Sequence, residues 1–440
     1  MSPEMITLIM FASMIALLVT GRQIFVILAA IGIFAGLALW GVGGISMAFY
    51  STMKLISWYS LLAIPCFIFM GYILAGSGVA QRLYDAMHKW VGAAPGGLAM
   101  GTIGICSLIA AMAGLLFAGT VTSAYVALPE MLKRKYHKHL AAGTIMAGGA
   151  LGFLIPPSIV FILYGLIARV SIGHLWLAGV FPGILLAGMY IAYIGIRCRF
   201  QPDMGPALPP EERVGWGEKF RSLGAGIAPI ILIFLVLGLL FMGVTSITES
   251  GAVAAAGALA CAAINRRLTR KLFMDALGET SEVSAMLMWI VVGSFVFAAV
   301  YDGLGAVYAI EHLFSMIGIG GKGGIILMMV TFGLMGMVLD DTAMLLIVAP
   351  LFIPLVRETG FSLVWFGVLY TLTVEMAMMS PPFGYSLFIL KGVLPKGSGI
   401  TITDLYKSSI PFIGVQAACL AIIFLFPQIA LWLPNLVFGG

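Results

Sequence analysis

The sequence predicts an all-α polytopic membrane protein built from two inverted repeats, and three observations lead to this fold class. The 440 residues are 61% hydrophobic and only 9% charged, which leaves too little polar surface to cover a soluble globule. Apolar runs of about 17 residues or more recur along the whole chain. Pairs of prolines and of small polar residues also repeat at a fixed offset in the two halves of the chain.

The apolar runs set the expected number of membrane crossings. They predict about 11–12 transmembrane helices. Outer-membrane strands need only about ten alternating residues, so runs of this length span as helices that satisfy their own backbone. The first run has no Lys or Arg before it, so we expect a retained helix and not a cleaved signal peptide. The runs lie at about 5–20, 24–40, 60–76, 98–128, 141–170, 174–196, 223–247, 284–300, 323–355, 362–390 and 408–436.

Charge and cysteine usage argue against other classes. The net charge of +5 is concentrated in short loops, where it sets membrane topology, so we expect membrane lipid as a partner and no nucleic acid. The five cysteines show no CxxC or metal-ligand spacing, so we expect neither a cofactor nor a transition-metal site.

An internal repeat relates the two halves of the chain. Two prolines of the first half are separated by 27 residues, and two prolines of the second half show the same spacing. The offset predicts a first repeat over 1–200, a linker over 201–222 and a second repeat over 223–440. The pairs at an offset of 225 are Pro129 and Pro354, Pro156 and Pro381, Ser77-Gly78 and Asp302-Gly303, and Thr20 and Thr245.

Basic residues predict that the two repeats have opposite orientations. Lys133, Arg134, Lys135 and Lys138 crowd one loop, whereas the equivalent stretch of the second half has only Arg357 beside an acidic residue. Because short cytoplasmic loops collect Lys and Arg, the repeats are inverted and the linker is cytoplasmic. The same reasoning predicts that both chain termini face the periplasm.

Two double prolines predict helix breaks inside the membrane. Pro156-Pro157 and Pro381-Pro382 each remove two backbone donors, so we expect broken helices over about 141–170 and about 362–390. Each is preceded by an apolar segment too long for one crossing, which predicts re-entrant hairpins over about 98–128 and about 323–355. Broken backbone at membrane depth offers carbonyls to cations and amides to anions. Gly152 to Ser158 and Ser380 to Gly384 are therefore candidate ion and substrate sites.

Few ionisable residues lie in these apolar segments, and each is a candidate for function. Asp340 and Asp341 lie at the expected tip of the second hairpin, and Glu375 precedes the second break. Glu249 starts a later helix, which predicts a capping role near the membrane interface. Sodium prefers oxygen ligands, and the candidates are Gly119, Thr120, Thr122, Ser123, Ser158, Asp340, Thr342 and Ser380. No intramembrane Lys or Arg can hold a substrate anion, so we expect amides, hydroxyls and the bound cation to hold it.

Several blocks of the sequence resemble one known family. They include "LPEMLKRKYHKHLAAGTIMAGGALGFLIPPSIVFILYG", "GVTSITESGAVAAAGAL", "GMVLDDTAMLLIVAPLFIPLV" and "VEMAMMSPPFGYSLFIL". In order and over nearly the whole chain, they resemble the large membrane subunit, the DctM type, of tripartite ATP-independent periplasmic (TRAP) transporters.

The resemblance implies an elevator mechanism with scaffold and transport domains in the bacterial inner (cytoplasmic) membrane. It also implies sodium symport for organic acid uptake, with Na+ as the coupling ion. The implied partners are a small four-helix membrane subunit (Q type), expected as a separate polypeptide, and a periplasmic substrate-binding protein (P type). The substrate would be a small organic anion, a carboxylate or a sulfonate.

The family pattern can be carried onto individual residues of this chain. The first hairpin tip falls on Gly119 to Ser123 and the second on Asp340 to Thr342. The chain departs from the pattern at Ser123-Ala124-Tyr125, where many members have an aspartate, and at Ser380, where a threonine is usual. The predicted sodium-binding residues are Gly119, Thr120, Thr122, Ser123, Gly152, Pro156, Asp340, Thr342 and Ser380. The predicted substrate-binding residues are Pro157, Ser158, Asp341, Pro381, Pro382 and Gly384.

Two alternatives follow from the same residues. A stand-alone sodium/anion symporter with inverted repeats would share every helix break and need no partner. An intramembrane enzyme could use Asp340, Asp341 or Glu375 as acid and base, but the sequence contains no HExxH or GxSxG motif, so we expect no catalytic residues.

Overall fold

The predicted all-α fold is confirmed by a computed structural model. It describes residues 1–18, 20–113, 116–306, 308, 321–337, 339, 341–382, 384–394 and 398–439. The described residues form nineteen α-helices and contain no β-strand.

The helices of the first half run from α1 to α10. Their bounds are α1 Pro3–Leu18, α2 Ile24–Trp40, α3 Val42–Ile56, α4 Ala63–Gly76, α5 Val79–Val91, α6 Gly97–Ala113, α7 Leu116–Lys133, α8 Lys138–Ala150, α9 Ile159–Ala168 and α10 Ile172–Phe200. The second half begins with α11 Trp216–Phe241, α12 Ile247–Ile264 and α13 Arg270–Gly303. It continues with α14 Lys322–Gly336, α15 Asp341–Glu358, α16 Leu363–Met379, α17 Tyr385–Val393, α18 Ile402–Leu425 and α19 Gln428–Phe438.

The helix boundaries follow the 225-residue offset closely in the segments around the double prolines. The first residues of α6, α7 and α8 are each followed, 225 positions later, by the first residues of α14, α15 and α16. The two halves differ elsewhere. Two helices, α3 and α4, are separated at Ser57-Trp58, whereas the equivalent stretch of the second half is the single 34-residue helix α13.

Several helices begin at a polar residue whose side chain caps the first turn. The Ser246 hydroxyl accepts a hydrogen bond from the Glu249 amide, and the Glu249 carboxylate accepts one from the Ser246 amide at 2.7 Å. This capping box confirms the predicted capping role of Glu249 at the start of α12. Thr401 and Asp404 form a second capping box at the start of α18.

Helices of one half pack against helices of the other half throughout the molecule. In one group, α2 packs on α13 and α4 packs on α12. In the other, α7 packs on α17 and α15 packs on α9, so the second helix of each hairpin contacts the broken helix of the opposite half. Likewise α8 packs on α18 and α10 packs on α16. The two halves therefore share one core and cannot form separate domains.

Five helical segments in the described part of the chain are long and apolar enough to cross a membrane. A sixth candidate is α11, whose two parts, Trp216–Ser222 and Gly226–Phe241, are bent by 51°. Seven further apolar helices of 10–17 residues include α9, α14 and α16. These lengths fit a multi-pass membrane protein in which two shorter helices together make some of the crossings. The count of about 11–12 crossings stays a prediction. The five long segments are Tyr59–Gly76, Ile172–Phe200, Ile247–Ile264, Arg270–Gly303 and Ile402–Leu425.

The basic loop at 133–138 and the linker at 201–222 meet at one end of the molecule, which we call the basic face. The His137 amide donates to the Met204 carbonyl there, and Arg134 pairs with Glu212 at 2.8 Å. The described residues near both termini lie at the helix ends that are far from the basic face. Thr7 contacts the Tyr301 hydroxyl near the end of α13, and the His174 ring at the start of α10 stacks on Phe438.

Candidate functional site

The first helix break separates α8 from α9. After α8 the chain makes a 3₁₀ turn at Leu151–Phe153, passes through buried Pro156-Pro157, whose peptide bond is cis, and starts α9 at Ile159. The Ser158 hydroxyl donates to the Phe153 carbonyl at 2.5 Å and accepts weakly from the Phe161 amide at 3.4 Å. Ser158 is therefore the N-cap of α9, and its hydroxyl already holds the break together.

The second break separates α16 from α17 and also contains a cis peptide bond, between Pro381 and Pro382. The Ser380 hydroxyl donates to the Met376 carbonyl at 2.7 Å, and the Tyr406 hydroxyl donates to the Pro382 carbonyl at 2.9 Å. A Cβ atom at Gly384 would lie 2.7 Å from the Ser380 carbonyl oxygen and 2.8 Å from the Met378 carbonyl oxygen. The turn therefore needs glycine at this position because two backbone groups occupy the space.

In the first hairpin, Gly119 to Ser123 lie about one helical turn beyond the tip at which the family resemblance places them. Gly119 to Ser123 lie inside α7, which begins at Leu116, so they are not at the tip between the hairpin helices. Thr120 is fully buried, and a Cβ atom at Gly149 of α8 would overlap the Thr120 hydroxyl oxygen. This contact sets Thr120 against α8 just before the first break.

Thr122 and Ser123 project toward a different part of the molecule. The Ser123 hydroxyl lies 2.9 Å from the Cys106 sulfur of α6. Both residues line a small cavity with Ala80 and Tyr84 of α5. The structure therefore places Thr120, and not Ser123, against α8, the helix that leads into the first break.

The second hairpin places its polar residues at the start of α15. Asp341 is the first residue of α15, and its backbone carbonyl accepts a hydrogen bond from the Tyr370 hydroxyl of α16 at 3.1 Å. Thr342 follows and is buried. The predicted ligand Asp340 lies outside the described residues. Since α16 leads into the second break, this hydrogen bond joins the second hairpin to its own broken helix.

The described parts of the two breaks offer groups suited to small ions. Thr120, Thr342 and Ser380 are buried hydroxyl residues, and Gly152 and Pro156 are buried residues at the first break. Oxygen donors of this kind suit sodium, whereas the described residues contain no group of three or more His, Cys, Asp or Glu side chains that could hold a metal ion. The starts of the half-helices α9 and α17 direct backbone amides toward the breaks, which suits an anion.

The structure also adds two residues that the sequence does not single out. Glu375 is fully buried on α16, and the helices packed against α16 bring Tyr190 of α10 near its carboxyl group and Gln416 of α18 beside Tyr190. The sequence signal for Tyr190 and Gln416 is weak, because each is an isolated polar residue within an apolar helix.

The fold and the site define a polytopic α-helical membrane protein in which each of two broken helices meets a hairpin helix of the opposite half. The YdaH transporter of Alcanivorax borkumensis shares this fold with a TM-score of 0.64 at 15% identity, covering 91% of this chain and 90% of that one. The efflux pump MtrF of Neisseria gonorrhoeae does so with a TM-score of 0.62 at 13% identity, covering 90% and 85%.

The chain belongs to the family of the tripartite ATP-independent periplasmic transporter, DctM component, whose family model matches residues 11–429. It is 30% identical to the C4-dicarboxylate TRAP transporter large permease protein DctM of Pseudomonas aeruginosa, covering 86% of each protein. It is also 30% identical to the ectoine TRAP transporter large permease protein TeaC of Halomonas elongata, covering 98% of this chain and 100% of that protein. The isethionate TRAP transporter permease protein DctMQ of Oleidesulfovibrio alaskensis is 29% identical, with 85% of this chain matching 58% of that protein.

Proposed function

We propose that this chain is the large membrane subunit of a sodium symporter that takes up a small organic anion delivered by a periplasmic binding protein. The observation that carries the proposal is the exchanged packing of the two halves, in which α7 contacts α17 and α15 contacts α9. This arrangement joins two helix breaks and two hairpins into one unit that can hold a cation and an anion together. An elevator mechanism would move that unit against α1 to α4 and α11 to α13.

The substrate is proposed to be a carboxylate or a sulfonate. Relatives named for C4-dicarboxylates, sialic acid and isethionate support this class. The amides at the starts of α9 and α17 would bind the anion, and Pro157, Pro381, Pro382 and Gly384 would shape the turns beside it. The relative named for ectoine indicates that the carboxylate can belong to a zwitterion.

Sodium would provide the driving force through hydroxyl and carbonyl ligands at the two hairpins. Each ion that moves down a tenfold gradient and about 100 mV supplies roughly 3.7 kcal/mol. The buried Thr120, Thr342 and Ser380 support this assignment, and the proposed ligand Asp340 immediately precedes α15.

Two partners and an inner-membrane location complete the proposal. The relative named DctMQ, of which this chain matches only 58%, supports a small Q-type subunit that assembles with this chain. The basic face would be cytoplasmic. Both termini would then face the periplasm, because Thr7 and Phe438 contact residues at the helix ends far from the basic loops.

The test is substrate uptake into proteoliposomes that contain this chain and its small partner. Uptake is measured with and without an inward sodium gradient and with and without the cognate binding protein. We expect uptake only when both are present. Uptake by this chain alone would favour a stand-alone symporter, and uptake that ignores sodium would overturn the sodium assignment. Chemical conversion of the substrate would favour an intramembrane enzyme.

A further inference from the structure

Glu375 is a carboxyl group buried in the membrane region of the protein, and no residue that the structure describes forms an ion pair with it. The residue is 0% exposed, and neither carboxyl oxygen forms a hydrogen bond with any residue that the structure describes. Burying an ionised carboxylate without a partner costs several kcal/mol, so a bare carboxylate is not stable there. Glu375 must therefore bind a cation or a proton.

In the part of the chain that the structure describes, polar groups surround Glu375 and no Lys, Arg or His contacts its carboxyl oxygens. The Tyr190 hydroxyl and the Cys419 thiol lie within electrostatic range of the carboxyl group. The Tyr190 hydroxyl and both polar atoms of the Gln416 amide are buried without a completed hydrogen bond among the described residues. We call Tyr190, Glu375, Gln416 and Cys419 the Glu375 cluster.

Titratable side chains on the other helices packed against α16 have different partners. Tyr164 of α9 donates to the Leu363 carbonyl at 2.7 Å, and Lys391 of α17 donates to the Ile400 carbonyl at 2.9 Å. On α16 itself, Tyr370 donates to the Asp341 carbonyl at 3.1 Å. His139 at the start of α8 lies 3.1 Å from the Asp404 carboxylate of α18. The Glu375 cluster is thus the environment that governs the charge of this carboxyl group.

A cavity at the basic face and the Glu375 cluster share one neighbouring side chain, Phe412. The cavity has a volume of about 40 Å³ and is lined by His139, Tyr193, Arg197, Lys407 and Phe412, among others. This volume is enough for water molecules. The Phe412 ring lies 5.3 Å from the Tyr193 ring in the cavity wall and 5.6 Å from the Tyr190 ring in the cluster. Gln416 is one helical turn beyond Phe412 on α18.

We propose that Glu375 is a proton-binding site that exchanges its proton with the basic-face solvent through this cavity, and that transport moves this proton. The carboxylate gains one proton to become a neutral carboxylic acid and loses it again, and no other bond changes. A proton is favoured over sodium because the cluster offers a single carboxyl group without the close shell of oxygens that a metal ion requires. The inference that the proton is moved rests on the proposed transport function.

The first test measures the proton directly and needs no transport. Infrared spectra of the purified chain are recorded between about pH 5 and pH 9. We expect the wild type to show a protonated-carboxyl band that weakens as the pH rises and that is lost in Glu375→Gln. The matched control Glu358→Gln makes the same change at an exposed site and should retain the band. A band assigned to Glu375 that stays constant across the range, or no such band, would overturn the proposal.

The second test measures proton movement with a pH-sensitive dye trapped in the proteoliposomes. With sodium and binding protein present, substrate uptake by the wild type should acidify the interior, and Glu375→Gln should reduce this signal to that of protein-free vesicles. Glu358→Gln should acidify like the wild type. Equal acidification by Glu375→Gln would contradict the proposal. If the wild type shows no uptake, the proposed function fails, and the infrared titration still decides whether Glu375 exchanges a proton.

Discussion

Among single residues, Gly149 marks the place where α7 and α8 approach most tightly. A methyl group there would overlap the Thr120 hydroxyl and crowd the Thr120 backbone, so one helix has to move. We expect Gly149→Ala to destabilise the protein by about 1–3 kcal/mol, because overpacking displaces neighbouring backbone. Thermal unfolding in detergent measures the loss.

Gly188→Ala is the matched control for this substitution. Gly188 also lies in a helix, α10, but it is exposed and no atom lies within 4 Å of a Cβ built there. This control should be neutral or slightly stabilising because alanine favours helix over glycine. Equal destabilisation by both substitutions would show that the contact with Thr120 is not tight.

The two buried hydroxyl groups of α7 should differ in their importance for sodium. Thr120 faces α8 beside the first break, whereas the Ser123 hydroxyl is engaged with the Cys106 sulfur. We expect Thr120→Val to raise the sodium concentration needed for half-maximal uptake at least several-fold and Ser123→Ala to leave it nearly unchanged. The reverse order in the uptake assay would show that the binding residues face α6. Sequence alone cannot separate them, since both belong to one polar stretch.

At the scale of elements, the cap of α9 should serve both stability and transport. Ser158→Ala removes the N-cap hydroxyl and should cost about 0.5–2 kcal/mol of stability. Ser362→Ala removes the N-cap hydroxyl of α16, which lies outside the breaks, and should cost a similar amount. Only Ser158→Ala should also slow uptake, because this cap holds the break. Equal uptake by both variants would place Ser158 in a purely structural role.

Much of the element order can be predicted from the sequence. The double prolines remove backbone donors, so their effect on the helices is local, and the 225-residue offset carries the boundaries of α6 to α8 onto α14 to α16. The predicted apolar runs include α4 at about 60–76 but omit α3, whose apolar residues are interspersed with Ser, Thr and Lys. Trp58, between α3 and α4, packs edge-on against Phe295 of α13 at 5.0 Å.

At the scale of the whole molecule, the exchange of partners between the halves is the feature that sequence could not supply. The repeat indicates which segments are equivalent but not which of them touch. The Glu375 cluster was missed for the same reason, since Tyr190 and Gln416 lie far from Glu375 in the sequence and meet it only through the packing of α10 and α18 on α16. The polytopic class follows from composition together with the recurring apolar runs.

The arrangement in the membrane can be tested with single cysteines in a variant whose five native cysteines are replaced. Cysteines at Ser2 and Gly439 should react with a membrane-impermeant maleimide added to intact cells. A cysteine at Lys135, on the basic face, should react only after the membrane is opened. Labelling of the Lys135 position in intact cells would reverse the proposed orientation.

The most direct test of the sodium symport is a zero-flux measurement in proteoliposomes containing this chain, its small partner and the binding protein. Opposing gradients of sodium and substrate are set at fixed membrane potential, and the substrate ratio at which net flux vanishes is determined. If sodium drives uptake, that ratio should rise as the inward sodium gradient rises, and Asp340→Ala should weaken the dependence. A zero-flux substrate ratio that does not change with the sodium gradient would contradict sodium coupling.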